Sequence, residues 1–154
     1  MDISLPEYVN KTLNTLQHIP KVSPQYSPYV HIPIAYATKT RQYATSPDTS
    51  PSNSPKDTQY IESVTGSFPY YGQSLDNTIL LVLNKIVSEQ SRPTESTRNK
   101  AQQLMDYATT YPDTYIRSHA SNMIPNIYTD DSYLVAPKAK SRVADIFNYL
   151  SSQV

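Results

Sequence analysis

The 154 residues contain no cysteine and only two glycines. Without thiols there are no disulfides, no thiol catalysis and no cysteine-ligated zinc, and the redox compartment is left open. Scarce glycine removes the usual residue for left-handed turns, so the 13 prolines have to supply much of the punctuation. Charge of neither sign is in excess. Lys plus Arg number 13 and so do Asp plus Glu, so any contact with nucleic acid has to come from a local patch. The longest apolar run, Ile79-Leu80-Leu81-Val82-Leu83, falls far short of the roughly 18 residues a membrane span needs. The stretch "MDISLPEYVNK" lacks the basic-then-apolar order of a signal peptide. These absences lead to the expectation of an intracellular chain with no membrane partner. Its length suits one domain with an attached arm around a modest core.

Tyrosine and proline are what the chain has in quantity, and proline is densest in its first third. Residues 1–57 read as an extended Pro/Tyr/Ser-rich arm, with a short helix within 6–17 where Tyr8, Leu13 and Leu16 fall near helical spacing. Between 20 and 57, proline removes backbone donors and pushes the preceding residues toward extended conformations, which rules out a long helix or a central strand. Tyr26, Tyr29, Ile32, Ile34, Tyr36 and Tyr43 give this arm apolar surface with which to dock.

Residues 58–112 carry helical periodicity. Ser54-Pro55-Lys56-Asp57 supplies an N-cap serine, a proline at the first helical position and an acid at the third, and Tyr60, Ile61, Val64 and Phe68 follow at steps of three and four. Pro69 is expected to bend or end this helix. Asp76 caps a second helix over 77–90, with Leu80, Leu83 and Val87 along one face and Ile79, Leu81, Val82 and Ile86 broadening it toward full burial. Thr94 caps a third, whose apolar face is Ala101, Leu104, Met105 and Ala108 and whose solvated side holds Arg98 and Lys100.

After Asp113 the period changes. "TYIRSHA" and "MIPNIYTD" read as two strands of a hairpin joined at Ser121-Asn122, with Pro125 demoting the second to an edge or bulge. "SRVADIFNYL" reads as a third strand in preference to a terminal helix. The fold class is therefore α+β. Within "NIYTDDSYL", Tyr128-Thr129-Asp130-Asp131 spells the Tyr-X-Asp-Asp letters of a polymerase hairpin, yet residues before 113 supply arm and helices where a palm sheet would be needed.

The segments "DISLPEYVNKTL", "VTGSFPYYGQSLDNTILLVLNKI", "QSRPTESTRNKAQQLMDYATTYPD" and "YIRSHASNMIPNIYTDDSYLVAPKAKSR", in this order, resemble the C-terminal part of a copia-type LTR retrotransposon polyprotein. There a connection region after the reverse transcriptase palm leads into ribonuclease H. The resemblance covers nearly the whole chain and rests on order and spacing rather than on one motif. It implies a helical connection region at 58–112 and the opening strands of an incomplete ribonuclease H-like domain at 113–154, a hairpin or meander. Asp130 then matches the first catalytic aspartate and metal ligand, with Mg²⁺ as the implied cofactor and an RNA-DNA hybrid as the implied partner. Hydrolysis by two metals roughly 4 Å apart needs several carboxylates, and the family's others fall beyond Val154, in the remainder of the polyprotein. Asp131 stands where the family prefers a small residue, and Asp145 where it commonly has glycine. Glu7 replaces a usual glycine, Pro69 a usual apolar residue within a helix, and Asn122 a usual aspartate. The resemblance thus implies a catalytically incomplete transposable-element fragment whose ancestral role was hybrid cleavage during reverse transcription.

Other residues bear simpler readings. Lys138, Lys140 and Arg142 form a basic cluster that either touches a phosphate backbone, as the resemblance suggests, or lies on a solvated turn. Asp130 is either the ancestral ligand or a turn residue. Tyrosines between prolines either stack bases or pack the arm on the helices. His18, His31 and His119 share no spacing that suggests a metal site, and no Ser-His-Asp pattern or Gly-X-Ser-X-Gly elbow occurs. A non-enzymatic interaction protein using the Tyr/Pro arm and the helical surface is the competing expectation.

Overall fold

A computed structural model describes residues 1–30, 48–117, 119, 124–136 and 140–150. The chain is α+β. Its elements run β1 (Asp2–Ser4), α1 (Tyr8–Thr15), α2 (Pro55–Ser74), a 3₁₀ turn (Asn77–Ile79), α3 (Leu80–Glu89), α4 (Glu95–Thr110), β2 (Tyr115–Arg117), β3 (Ile124–Ala136) and β4 (Lys140–Leu150). They divide into a helical unit, 2–31 and 48–117, and a second unit that holds β3 and β4. Ile32, Ile34, Tyr36 and Tyr43 of the expected arm, and Lys138 of the basic cluster, lie outside the described residues.

The helical unit is built around α2. Ser54 accepts from the Asp57 N–H and Pro55 opens the first turn, where its missing donor costs nothing. Ile61, Val64, Phe68 and Tyr71 then bury one side of the helix. Against them pack Ile79, Val82, Leu83 and Ile86, then Ala101, Leu104, Met105 and Ala108 of α4, with Val9 and Leu13 of α1 completing the cluster. Burying a side chain of this kind contributes roughly 1.5–3 kcal/mol. Gly72 lies where α2 meets α3. A Cβ there would sit 2.8 Å from Leu80 Cδ2 and 3.0 Å from Ile79 Cγ1, so the missing side chain permits the approach.

The N-terminal ends of α2 and α4 are tied together. Asn53 N–H donates to Pro93 O at 3.1 Å and Glu95 N–H to Pro51 O at 3.0 Å. Thr94 and Thr97 form a reciprocal capping box at the start of α4. At the other extreme, β1 pairs antiparallel with β2 (Asp2↔Arg117 to Ser4↔Tyr115), so the two ends of the helical unit meet. The Arg117 guanidinium clasps the Asp2 carboxylate through two hydrogen bonds of 2.9 Å.

Several sequence expectations are corrected here. Pro69 does not end its helix: α2 continues to Ser74. Proline removes one backbone hydrogen bond, and the burial of Phe68, Tyr71, Gly72 and Leu75 on both sides of it holds the turn. The second helix opens with a 3₁₀ turn capped by Asp76, and its buried face is Ile79, Val82, Leu83 and Ile86. Val87 and Leu81 are exposed, so this helix is not apolar all round in its surroundings. Arg98 and Lys100 are not simply solvated; they pair with Asp57 and Glu89. The strand pairing differs most. "YIR" joins β1, and "IPNIYTD" pairs with "SRVADIFNYL", which is a strand as expected.

In the second unit, β3 and β4 form an antiparallel hairpin in register from Ile124↔Leu150 to Ser132↔Arg142, with an irregularity before Ala136↔Lys140. Pro125 pairs with Tyr149 near the strand's start, where a two-stranded sheet leaves an edge that tolerates a missing donor.

Among the described residues, two that are not glycine have left-handed φ, Glu7 at 60° and Gln17 at 50°. Glu7 precedes α1 with φ 60° and ψ −1°, in the left-handed region that disfavours side chains. Its only ion pair among the described residues is an exposed i,i+4 contact with Lys11 at 3.4 Å. Glu7→Gly and Glu7→Ala both delete that pair, and only glycine relieves the backbone. In urea denaturation, Glu7→Gly is expected to be more stable than Glu7→Ala by about 1 kcal/mol.

Candidate functional site

A cluster of polar groups around a buried carboxylate lies where the segment after α1 meets α4. Asp106 projects from α4 with its side chain 3% exposed. Its Oδ1 lies 2.9 Å from Nε2 of His18, itself 7% exposed, and its Oδ2 lies 3.0 Å from Lys21 Nζ. The Lys21 N–H also donates to Asp106 Oδ1 at 3.3 Å. Four residues further on, Gln25 N–H donates to Thr110 Oγ1 at 3.0 Å, and Gln103 Nε2 donates to Gln25 Oε1 and Ser27 O. Residues 18–29 thus form a strap fastened to Gln103, Asp106 and Thr110, which lie at steps of three and four along α4. Residues 18–29 of the arm therefore dock, through their polar groups as well as through Pro28 and Tyr29, over whose ring Lys85 Nζ sits 5.5 Å from the centroid.

A buried carboxylate beside an imidazole is an arrangement that orients catalytic histidines. Here it performs a different task. Among the described residues no hydroxyl is bonded to His18, and its side chain is 7% exposed. What remains is charge pairing of a carboxylate that would be costly to bury alone.

Tyr60 of α2 lies in the same region. Its hydroxyl is buried without a hydrogen-bond partner, and burial, followed by the Asp106 charge, pushes its pKa up to about 12. Near the start of α4 lies a second polar group: Thr97 Oγ1 and Lys100 Nζ both donate to Glu89 Oε2, at 2.9 and 2.8 Å. Thr94 donates to Asp48, and this bond, with those from Ser50, holds the Asp48 carboxyl down at about 2. A third feature is an open depression of about 460 Å³ lined by Asp2, Ser4, Leu5, Pro6, Asp113, Thr114 and Tyr115. It offers two carboxylates, one of them already committed to Arg117.

The residues singled out in the sequence lie elsewhere. Asp130 is midway along β3, opposite Ala144, and Asp131 is opposite Val143. The strand is unbroken from Ile124 to Ala136, so the Tyr-X-Asp-Asp letters form no strand-turn-strand hairpin and Asp130 is not a turn residue. Asp145 stands opposite Thr129, Lys140 opposite Ala136 and Arg142 opposite Ser132. Backbone register therefore brings Asp130, Asp131 and Asp145 into one stretch of the β3–β4 pair, with Lys140 and Arg142 nearer its Ala136↔Lys140 end. Among the described residues, no group of three or more His, Asp or Glu side chains is gathered to hold a metal ion. No helix among them is long and apolar enough to cross a membrane.

Comparison with known proteins finds no matching family model, no matching curated protein and no matching solved structure.

The His18–Asp106 pair escaped the sequence reading because 88 positions separate its members. The one available signal was the polar stripe Gln103, Asp106 and Thr110 on the side of α4 away from its apolar face. Tyr60 gives a direct check on this region. Removing a buried hydroxyl that lacks a partner relieves a desolvation cost of roughly 1–3 kcal/mol. Tyr60→Phe is expected to stabilise the protein by about 1 kcal/mol at pH 7. Because folding raises the Tyr60 pKa, the wild type keeps its full stability below about pH 10 and loses it progressively toward pH 12. The advantage of Tyr60→Phe in urea denaturation should therefore widen across that window.

Proposed function

We propose that the chain is a catalytically incomplete fragment of a copia-type reverse transcriptase/ribonuclease H polyprotein, with an ancestral role in RNA-DNA hybrid cleavage. The observation that carries this reading is the backbone at Glu7. The resembled family usually has glycine at that position, and here the residue adopts φ 60°, a conformation glycine takes without strain. A second support comes from the joints of the helical unit. Gly72, Asp76 and the Pro93-Thr94-Glu95 helix start all lie within the resembling segments. They serve as close-approach point, cap and helix opening.

On this reading Asp130 is the descendant of the first catalytic aspartate, and Lys140 and Arg142, with Lys138, are the groups that approach nucleic-acid phosphates. Mg²⁺ keeps most of its waters unless several oxygens replace them, so one ancestral carboxylate binds it weakly. Asp131 and Asp145 occupy places that the family does not use for ligands. The chain then contributes a connection region and a nucleic-acid-facing hairpin without completing the chemistry.

A non-enzymatic interaction module is the second reading, and one observation favours it: Ile19, Val22 and Tyr26 remain exposed while the strap that carries them is fastened. Adjoining genomic sequence separates the two readings. A palm-encoding stretch upstream and further ribonuclease H carboxylates downstream belong to the first alone.

Activity provides the biochemical test. Purified protein with Mg²⁺ or Mn²⁺ is expected neither to extend a primer nor to cleave an RNA-DNA hybrid, and to match an Asp130→Asn preparation. Metal-dependent cleavage by the parent that disappears in Asp130→Asn would refute catalytic incompleteness.

A further inference from the structure

Five of the 13 prolines follow serine, at Ser23, Ser27, Ser46, Ser50 and Ser54, and all five pairs fall between residues 23 and 55. Within each run the serines recur every four residues. Neither the polyprotein reading nor the strap's fastening to α4 accounts for this. A Ser-Pro pair is a distinct chemical object: the ring fixes φ, no N–H is presented, and the serine is biased toward extended backbone. A kinase groove that requires proline after the acceptor serine recognises those features together.

The fold treats the described pairs unequally. Ser27 exchanges hydrogen bonds with the Tyr29 backbone, at 2.7 Å to the carbonyl, and Pro28 is buried. Ser50 is half-buried between the Asp48 carboxylate, which accepts its N–H, and Pro51, whose carbonyl accepts from Glu95. Ser54 caps α2, with its hydroxyl 2.7 Å from Asp57 Oδ2 and its carbonyl accepting from Thr58. Ser23 is different. Val22, Ser23 and Pro24 are all exposed, and the Ser23 hydroxyl has no hydrogen-bond partner among the described residues. The pair lies at a bend in the strap between two fastened points, Lys21 on Asp106 and Gln25 on Thr110.

We propose that Ser23 is a phosphorylation site for a proline-directed serine/threonine kinase, presented by the strap, while Ser27, Ser50 and Ser54 are withheld by their own hydrogen bonds. In the reaction the Ser23 Oγ attacks the γ-phosphorus of a Mg²⁺-bound nucleoside triphosphate, and the bond from that phosphorus to the β-phosphate oxygen breaks. The nucleoside diphosphate leaves, and the hydroxyl proton passes to the kinase's own base. The proposal is independent of the polyprotein reading.

The test uses the full chain with Ser46→Ala, because Ser46 lies outside the described residues. It is incubated with a purified proline-directed kinase, ATP and Mg²⁺, and phosphate is located by mass spectrometry over time. Ser23 is expected to be modified roughly fivefold or more faster than Ser54, the factor that opening a serine cap imposes, and faster than Ser27 and Ser50. Peptides spanning 18–30 and 48–60 should lose this preference, since no fold withholds their serines. Pro24→Ala should abolish modification at Ser23 and leave Ser54 unchanged. Three results would overturn the proposal: no phosphate at Ser23, a rate there no greater than at Ser54, or an unchanged Ser23 rate in Pro24→Ala.

Discussion

Asp106 is a carboxylate placed where water scarcely reaches it, and the N-terminal part of the helical unit is organised around that fact. A buried charge left unpaired is among the costliest features a small protein can carry. Here it gathers an imidazole, an ammonium and a backbone N–H from one short segment, His18 to Lys21. By meeting those partners the segment becomes a strap, and the strap covers the side of α4 that the apolar core does not. α4 is thus held on two sides by different physics. Its Ala101, Leu104, Met105 and Ala108 face is buried by the hydrophobic effect, and its Gln103, Asp106 and Thr110 stripe by hydrogen bonds. The same carboxylate also helps to keep the Tyr60 phenol neutral.

Local signals carried much of the helical unit. Ser54-Pro55 and Thr94 open α2 and α4 where their capping chemistry requires, and the α4 core face is as periodicity predicts, because caps and periodicity act within a few residues. The α3 face was misjudged by a fraction of a turn. In the stretch 79–87 nearly every residue is apolar, so no polar side marks the outside, and tertiary packing alone leaves Leu81 and Val87 in solvent. Strand pairing was the least legible. "TYIR" has as much strand character as its neighbours, yet its partner is β1, more than a hundred residues away, and no local rule announces a pairing of that span. The buried pair of His18 and Asp106 was hidden for the same reason. At Asp130 and Asp131, the letters alone left hairpin turn and strand both open; β3 decides for strand by running through Asp130 without a turn.

Glu7 and Pro69 work against the local structure that holds them. Glu7 takes a left-handed backbone at the entrance to α1, and Pro69 sits inside a helix whose ladder it interrupts. Neither makes a contact that offsets its backbone cost: Glu7 has one exposed ion pair, and Pro69 is half-buried. A fold can retain such residues when the rest of the core over-determines the path. Both are also departures from the resembled family's usual residues.

The role of Asp106 can be measured directly by amide hydrogen exchange in Asp106→Leu. The Gln25 N–H is the informative probe because its acceptor is Thr110, which the substitution leaves in place. If the carboxylate fastens the strap, Gln25 exchange should accelerate at least tenfold, on the order of 1.4 kcal/mol of lost protection, while amides of α3 around Leu83 change much less. Gln25 protection that stays at the wild-type level in Asp106→Leu would contradict the account, and would mean that Pro28, Tyr29 and the Gln103 contacts hold the strap without the buried charge.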